Sequence, residues 1–294
     1  MERKVIVTVA PTSNFQGKEA NPALPIQPDE VAQSVYDAYN AGASLAHLHA
    51  RDIHGVQTNE TAVFKDINGR VREKCDIIIQ NSIAPALGPN PNSADDGLAV
   101  LDALPEMASL DMGVSVVSVH GREVIIEWTR SFLRKAAKMM DERNIKPELE
   151  IFNDSQLDDA IMLINEGVLK PPFSFSFVMG MNRVNQGAVA FSPQRIAHYV
   201  SMLPPNSRFS TLGVGPTQLP AALSSVLLGG NARVGFEDNI FYSRGVLATS
   251  NAQLVERLVR CIRDLGLEVA TPDEARVMLG MPTLKERQQG KKLA

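Results

Sequence analysis

Cysteine is nearly missing from this chain: Cys75 and Cys261 are the only two in 294 residues, far apart and without CxxC spacing. That excludes a disulfide framework and argues against a sulfur-ligated metal. Long apolar runs are missing too, and none reaches the roughly 20 residues that a membrane span requires. Nor is there a basic stripe: 29 Lys and Arg stand against 33 Asp and Glu for a net charge of −4, which argues against nucleic acid as a partner. No G-x-G-x-x-G follows the first strand-like run, Val5-Ile6-Val7-Thr8-Val9, so a dinucleotide-binding open sheet is disfavoured. Met1-Glu2-Arg3-Lys4 leads into that run without a signal-peptide pattern, and a cytoplasmic protein is the expectation.

What is present is a regular alternation of strand and helix patterns. Apolar or period-2 runs predict strands at 5–9, 44–49, 77–79, 107–112, 147–153, 173–178, 208–212 and 232–236. Helical periodicity fills the intervals: a helix opening at Pro28-Asp29-Glu30 and ending at Gly42, then a polar one running to Lys74. Further helices are expected at 94–104, 127–143, 155–167, 194–202 and 217–228, before a last amphipathic one carrying Leu254, Leu258, Ile262 and Leu265. Eight β-then-α units at this length predict an α/β fold, a single-domain (β/α)8 TIM barrel over residues 1–294 with a C-terminal extension at 271–294. The loop from Pro11 to Gln27 is long for a βα connection and is expected to cover a site.

Barrel active sites lie at the C-terminal ends of the strands, and the polar residues gather there. His47 and His49 end strand 2 and, two apart, face the same way. Alone, such a pair reads equally well as two hydrogen-bonded core histidines. Glu237, at the end of strand 8, supplies the carboxylate that completes a two-His, one-Glu zinc site with an open position. Ser82 ends strand 3, Ser109 and Asp111 end strand 4, Glu150 lies in strand 5, and Asp238 follows Glu237. Asp238 faces the same pocket only if its strand stops and turns, which Gly235 and Asn239 permit. Arg233 would lower a neighbouring carboxyl's pKa or grip a substrate carboxylate. Gly213 and Gly215, between strand 7 and a helix, are candidates for holding phosphate groups. His120, after strand 4, is placed to reach the pocket; Arg51 and Asp52 are expected to pair and brace the His strand.

Several stretches carry a resemblance that runs nearly the whole chain: Asn21-Pro22-Ala23-Leu24-Pro25, His47-Leu48-His49-Ala50-Arg51-Asp52, Pro105-Glu106-Met107-Ala108-Ser109-Leu110, Pro147-Glu148-Leu149-Glu150 and Arg233-Val234-Gly235-Phe236-Glu237-Asp238-Asn239. The chain resembles the β-keto acid cleavage enzymes. The resemblance implies a zinc-dependent barrel that reacts a β-keto acid with acetyl-CoA to give acetoacetate and an acyl-CoA. It implies His47, His49 and Glu237 as ligands of one Zn2+ per chain. Asp238, Ser82 and Arg233 would move the proton, with Glu150 in support; at Gly213 and Gly215 a seat for CoA phosphates and a plain βα turn both stay open. It also implies a homo-oligomer, a tetramer, with the basic tail placed to contact a neighbour.

Two departures bear on the substrate. Phe15 stands where members taking an amino substrate have an acid, and Ile83-Ala84-Pro85 follows Ser82 where relatives have a Thr-Gly-Gly-like turn. Pro85 has no N–H and Ala84 lacks the freedom of Gly, so Asn81 or Ser109 is expected to take over the carboxylate, and Asp111 to discourage a second one. An apolar or hydroxylated acyl chain without an amino group fits best, with Glu19 the acid that a bend in the loop would bring in instead. Among competing readings, an amidohydrolase needs its H-x-H on strand 1 and further histidines that strands 5 and 6 lack. A zinc aldolase without CoA and a non-catalytic metal-binding barrel stay open.

Overall fold

The computed structural model describes residues 3–89, 91–119 and 121–293. Eight parallel strands close into a barrel: β1 Val7–Val9, β2 Leu45–Leu48, β3 Ile78–Ser82, β4 Met107–Asp111, β5 Lys146–Ile151, β6 Phe173–Met179, β7 Ser207–Gly213 and β8 Asn231–Val234. Each pairs with its sequence neighbour, and β8 pairs with β1. Near-continuous burial along β2, β3 and β4 is what a parallel sheet covered by helices on its outer face requires. Among the described residues no helix is long and apolar enough to cross a membrane.

The helices start where the sequence offers a cap. Thr129 accepts from Phe132 N–H ahead of Arg130–Glu142, Asn153 from Gln156 N–H ahead of Asp154–Asn165, and Ser250 from Gln253 N–H ahead of Asn251–Asp264. Each cap satisfies a donor that the first turn leaves free.

The expected helix at 127–143 begins later than the periodicity suggests, because Glu127 and Trp128 end a strand. The stretch after β4 is not a plain loop but an antiparallel hairpin, Gly113–Val119 against Arg122–Trp128, extended by Asn185–Gln186. Its alternating Val and Ile, around Gly121 at φ +76°, form a period-2 signal. The expected helix at 94–104 is a single turn, Ala94–Gly97, continued as the 3-10 segment Leu98–Ala103.

At the foot of the barrel, Ile6, Leu45, Ile78 and Met107 meet Ala275, Leu279 and Met281 of the tail, whose helix Pro272–Met278 packs beneath the strands. The tail thus buries its apolar side within its own chain.

Candidate active site

The turn after β8 brings the distant acid to the histidines. At Gly235, with φ +149°, an added Cβ would meet the Ala10 carbonyl oxygen at 2.1 Å, so the close crossing of chains admits only glycine. Beyond it, Glu237 N–H donates to Ala10 O at 3.0 Å, and Asp238 N–H and Asn239 N–H both turn back to Gly235 O. The strand therefore stops at Val234, and Glu237 and Asp238 line the same cavity. Side chains from elsewhere brace the turn: Asn251 accepts from Phe236 N–H at 2.8 Å, Gln218 donates to Gly235 O at 2.8 Å, and Gln16 donates to Phe236 O at 2.7 Å.

His49 Nε2 lies 3.4 Å and His47 Nε2 3.6 Å from Glu237 Oε1. The three residues offer ligand atoms within 4.8 Å of one another. Gln80, register partner of His47, accepts through Oε1 at 2.8 Å from His47 Nδ1, which leaves Nε2 with its lone pair directed toward the site. Burial pulls the His47 pKa down to about 3, so its imidazole is neutral at pH 7 and fit to ligate. The buried Glu237 Oε2 has no partner among the described residues. Burial pushes the Glu237 carboxyl up, but Arg233 and the two imidazoles outweigh it and hold the carboxyl below the usual range. A second group, His47 with Glu148 and Glu150, is close enough to share an ion. Burial and then the charge of Glu150 raise Glu148 to about 7, which makes it the poorer anionic ligand.

Arg233 is 2% exposed and reaches three carboxylates. Its Nε and Nη2 bond Asp238 at 3.0 and 2.9 Å, Nη2 also meets Glu237 Oε1 at 2.5 Å, and Nη1 lies 3.4 Å from Glu150 Oε1. Burial lifts the Asp238 pKa to about 7 against the pull of Arg233. Glu150 is raised by burial, and its register partner Asp111 is raised well above the carboxylate range by burial and then by the charge of Glu150. Asp111 Oδ1 is likewise unpartnered among the described residues. Four carboxylates, Asp111, Glu150, Glu237 and Asp238, thus line one cavity against the single guanidinium of Arg233. That surplus of carboxyl groups, with two imidazole donors beside an orphaned carboxylate oxygen, suits a divalent cation.

The cavity measures about 230 Å³. Phe15 lines it together with Asn14 and Gln16, so the long loop after β1 does cover the site. Arg51 holds this loop, donating to Ser13 O at 2.7 Å and Gln16 O at 2.6 Å. It does not pair with Asp52, which instead accepts from His54 and Val56 N–H, because the carbonyls of the covering loop take up its guanidinium. Glu19 accepts from Gly17 N–H and lines a separate outer cleft with Arg51 and Arg122. Ser82 lines the cavity, and Ser109 Oγ donates to its Oγ at 3.4 Å. Asn81, on the opposite face of β3 from Ser82, is absent from the cavity wall. Ala84 and Pro85 do line it, but the Ala84 N–H already donates to Ser82 Oγ at 3.2 Å.

Gly213 and Gly215 lie outside the wall, which Val214 supplies. The Gly215 N–H donates to Asp238 O at 2.8 Å, and a Cβ on Gly213 would strike Thr217 O at 2.4 Å. Gly213 serves close chain packing and Gly215 a left-handed turn at φ +63°, and the Gly215 N–H is not free for a phosphate. His120 lies outside the described residues. Sequence reasoning overlooked Gln80, Gln218 and Asn251, neutral amides with no motif of their own, and the hairpin residues Val117, Ile126 and Trp128, which form an apolar wall of the cavity.

Known proteins resemble this chain along nearly its whole length. The family model for the beta-keto acid cleavage enzymes matches residues 4–281. The chain is 37% identical to the 3-keto-5-aminohexanoate cleavage enzyme of Fusobacterium nucleatum over 282 residues, covering 96% of this chain and 99% of that protein. It is 30% identical to the 3,5-dioxohexanoate:acetyl-CoA acetone transferase of Paraburkholderia graminis, covering 95% of this chain and 96% of the relative. Among solved structures, the binary complex of ObcA with oxaloacetate superposes with a TM-score of 0.74 at 20% identity, covering 89% of this chain and 68% of that one, a likeness of fold. With 37% identity across almost the full length of a named member and a matching family model, the chain belongs to the beta-keto acid cleavage enzyme family.

Proposed function

We propose that this enzyme reacts a β-keto acid carrying an uncharged acyl group with acetyl-CoA, giving acetoacetate and the corresponding acyl-CoA. In the balanced reaction R–CO–CH2–COO− and acetyl-S-CoA become CH3–CO–CH2–COO− and R–CO–S-CoA. The observation that carries this reading is the meeting of His47, His49 and Glu237 with the Arg233–Asp238 pair on one apolar cavity. The names of relatives in the same family supply the co-substrate.

One divalent ion, zinc by its donor set, would be held by His47, His49 and Glu237. When bound, it supplies a positive charge that stabilises enolate character in the keto acid. Asp238 takes the proton between the two carbonyls, and Arg233 fixes both of its oxygens while leaving each a lone pair free. Ser82 offers its hydroxyl to the substrate carboxylate, braced by Ser109, which lies behind the cavity wall, and Glu150 holds the far side of Arg233. Among the described residues neither Lys nor a second Arg lines the cavity, so a second carboxylate on the acyl group finds no partner there; Phe15 offers an ammonium at most a cation–π contact. CoA is assigned no subsite here. A cytoplasmic homo-oligomer belongs to the same proposal, and its size is read by light scattering.

The test is a panel of β-keto acids with and without acetyl-CoA, scored for acetoacetate. Acetoacetate formed only with acetyl-CoA, from 3-oxohexanoate in preference to 3-keto-5-aminohexanoate, is the expected result. Cleavage without acetyl-CoA would make the enzyme an aldolase. A preference of tenfold or more in kcat/KM for the amino compound, about 1.4 kcal/mol, would overturn the uncharged acyl group.

A further inference from the structure

The outer half of the cavity is apolar, formed by Val117 and Ile126 of the hairpin with Phe152, Val178 and Leu212. One neutral polar side chain from the β6–β7 loop interrupts it. Asn185 is 3% exposed, lines the cavity, and is the antiparallel register partner of Val117, so the two side chains share a face. Its backbone is committed, with N–H donating to Met181 O at 2.9 Å and the carbonyl accepting from Ala188 N–H at 3.2 Å. Its side chain makes one bond, to Ser115 Oγ at 3.5 Å, the outer limit for such a contact. An amide has two donor hydrogens and two acceptor lone pairs, so most of this buried group's capacity is unused. Trp128 belongs to the same wall. Buried polar groups are ordinarily satisfied, and an under-satisfied amide in an apolar wall points to a ligand that brings its own polar atom.

We infer that Asn185 determines substrate specificity by hydrogen-bonding a hydroxyl or keto oxygen on the acyl chain beyond the reacting ketone. This rests on the proposed reaction and narrows its substrate class. An amide both donates and accepts, which suits a neutral oxygen substituent, and it cannot balance a full charge. The apolar residues around it take the carbons on either side. A plain alkyl chain would fill the same space and leave the amide unpaired, so the site discriminates against it.

The test exploits Trp128, the one tryptophan in the chain, as a fluorescent reporter inside the cavity. Metal-loaded protein without acetyl-CoA is titrated with 3-oxohexanoate and with 5-hydroxy-3-oxohexanoate. The hydroxylated acid should bind about tenfold more tightly or better, a preference expected where a buried polar group awaits its partner. Asn185→Leu should bring the ratio to about one by weakening the hydroxylated acid alone; Asn185→Ala serves the same purpose should the leucine variant fold poorly. Equal affinities in the native protein, a preference that survives both substitutions, or no binding of either acid would overturn the inference. Turnover is scored separately with acetyl-CoA. A binding preference without acetoacetate sinks the reaction and spares Asn185, whereas acetoacetate without a preference does the reverse.

Discussion

At the foot of the barrel the side chain of Arg276 is 0% exposed, yet each of its nitrogens meets a partner. Glu106 accepts from its Nε and Nη2 at 2.7 and 2.9 Å, Asp273 from its Nη1 at 2.8 Å, and the Asp76 carbonyl from its Nη2 at 2.6 Å. Arg72 reaches the same Glu106 at 2.6 Å. Burial works against the Arg276 charge, but these partners outweigh it and its pKa rises. At the rim Arg233 is as deeply buried and faces a surplus of acids, two of which keep an orphaned oxygen. The saturated guanidinium of Arg276 stabilises a closure; the unmatched carboxylates around Arg233 leave room for the proposed cation and proton transfer. Burial of an Arg–carboxylate cluster does not by itself mark function, and the state of its partners does.

Removing the cation would break this comparison most severely. His47→Ala should bind less than about a tenth of an equivalent of metal and lose acetoacetate formation to background, with unchanged circular dichroism. Chelation of the native protein should do the same, reversed by added zinc. Full metal content in His47→Ala would show that the rim's surplus charge is balanced some other way.

Next in size is Asp238→Asn, which removes the carboxylate proposed to take the proton and keeps the proposed ligands. We expect metal content near the native value and a fall in kcat of about 10²–10⁴. A variant with kcat near that of the native enzyme would move the base to another residue, Glu150 being the next carboxylate on Arg233.

The foot supplies the complementary case. Arg276→Met should lower unfolding stability by about 3 kcal/mol, because Glu106 then stays buried with Arg72 as its remaining guanidinium. Denaturant titration measures it, while kcat/KM under native conditions should change less than about twofold. A large loss of kcat/KM with stability intact would dissolve the contrast between the two ends.

Legibility in the sequence followed the same division. The eight strands were readable because parallel-sheet burial imposes apolar runs of strand length, and all eight lie within a few residues of expectation. His47, His49, Glu237, Asp238 and Arg233 were readable as candidates because charged side chains at strand ends have few structural roles. The hairpin at 113–128 is not read in the sequence: the expected helix takes its last two residues, Glu127 and Trp128, and the rest falls in the loop after strand 4. Gln80, Gln218 and Asn251 were invisible for another reason: a neutral amide acquires its role from the atom it faces, and only the fold supplies that atom. Arg51 paired with carbonyls of the covering loop rather than with the adjacent Asp52, a choice local sequence does not encode.

The smallest effect sharpens what matched charge means at the foot. Lys146, at the start of β5, is 5% exposed and donates to Lys170 O at 3.2 Å, with no carboxylate partner among the described residues; the nearby Asp141 is engaged by the Lys170 ammonium at 2.9 Å. Burial pulls its pKa down from the ordinary lysine value to about 8. Below pH 8 the ammonium is charged in both folded and unfolded chains, and the folded protein carries the full desolvation cost. Between pH 8 and the unfolded lysine pKa near 10.4 the unfolded chain binds the extra proton, so this group's contribution to stability rises with pH across that window. Lys146→Met removes the charge and also the bond to Lys170 O, which costs about 1 kcal/mol in the other direction. The net expectation is a gain of about 1–2 kcal/mol at pH 7, roughly 2–4 °C in Tm per kcal/mol, that shrinks toward pH 10. Melting curves of both proteins from pH 6 to 10 decide it. A difference that is flat in pH would mean that Lys146 is as well balanced as Arg276, and a loss at pH 7 that its bond to Lys170 outweighs its burial.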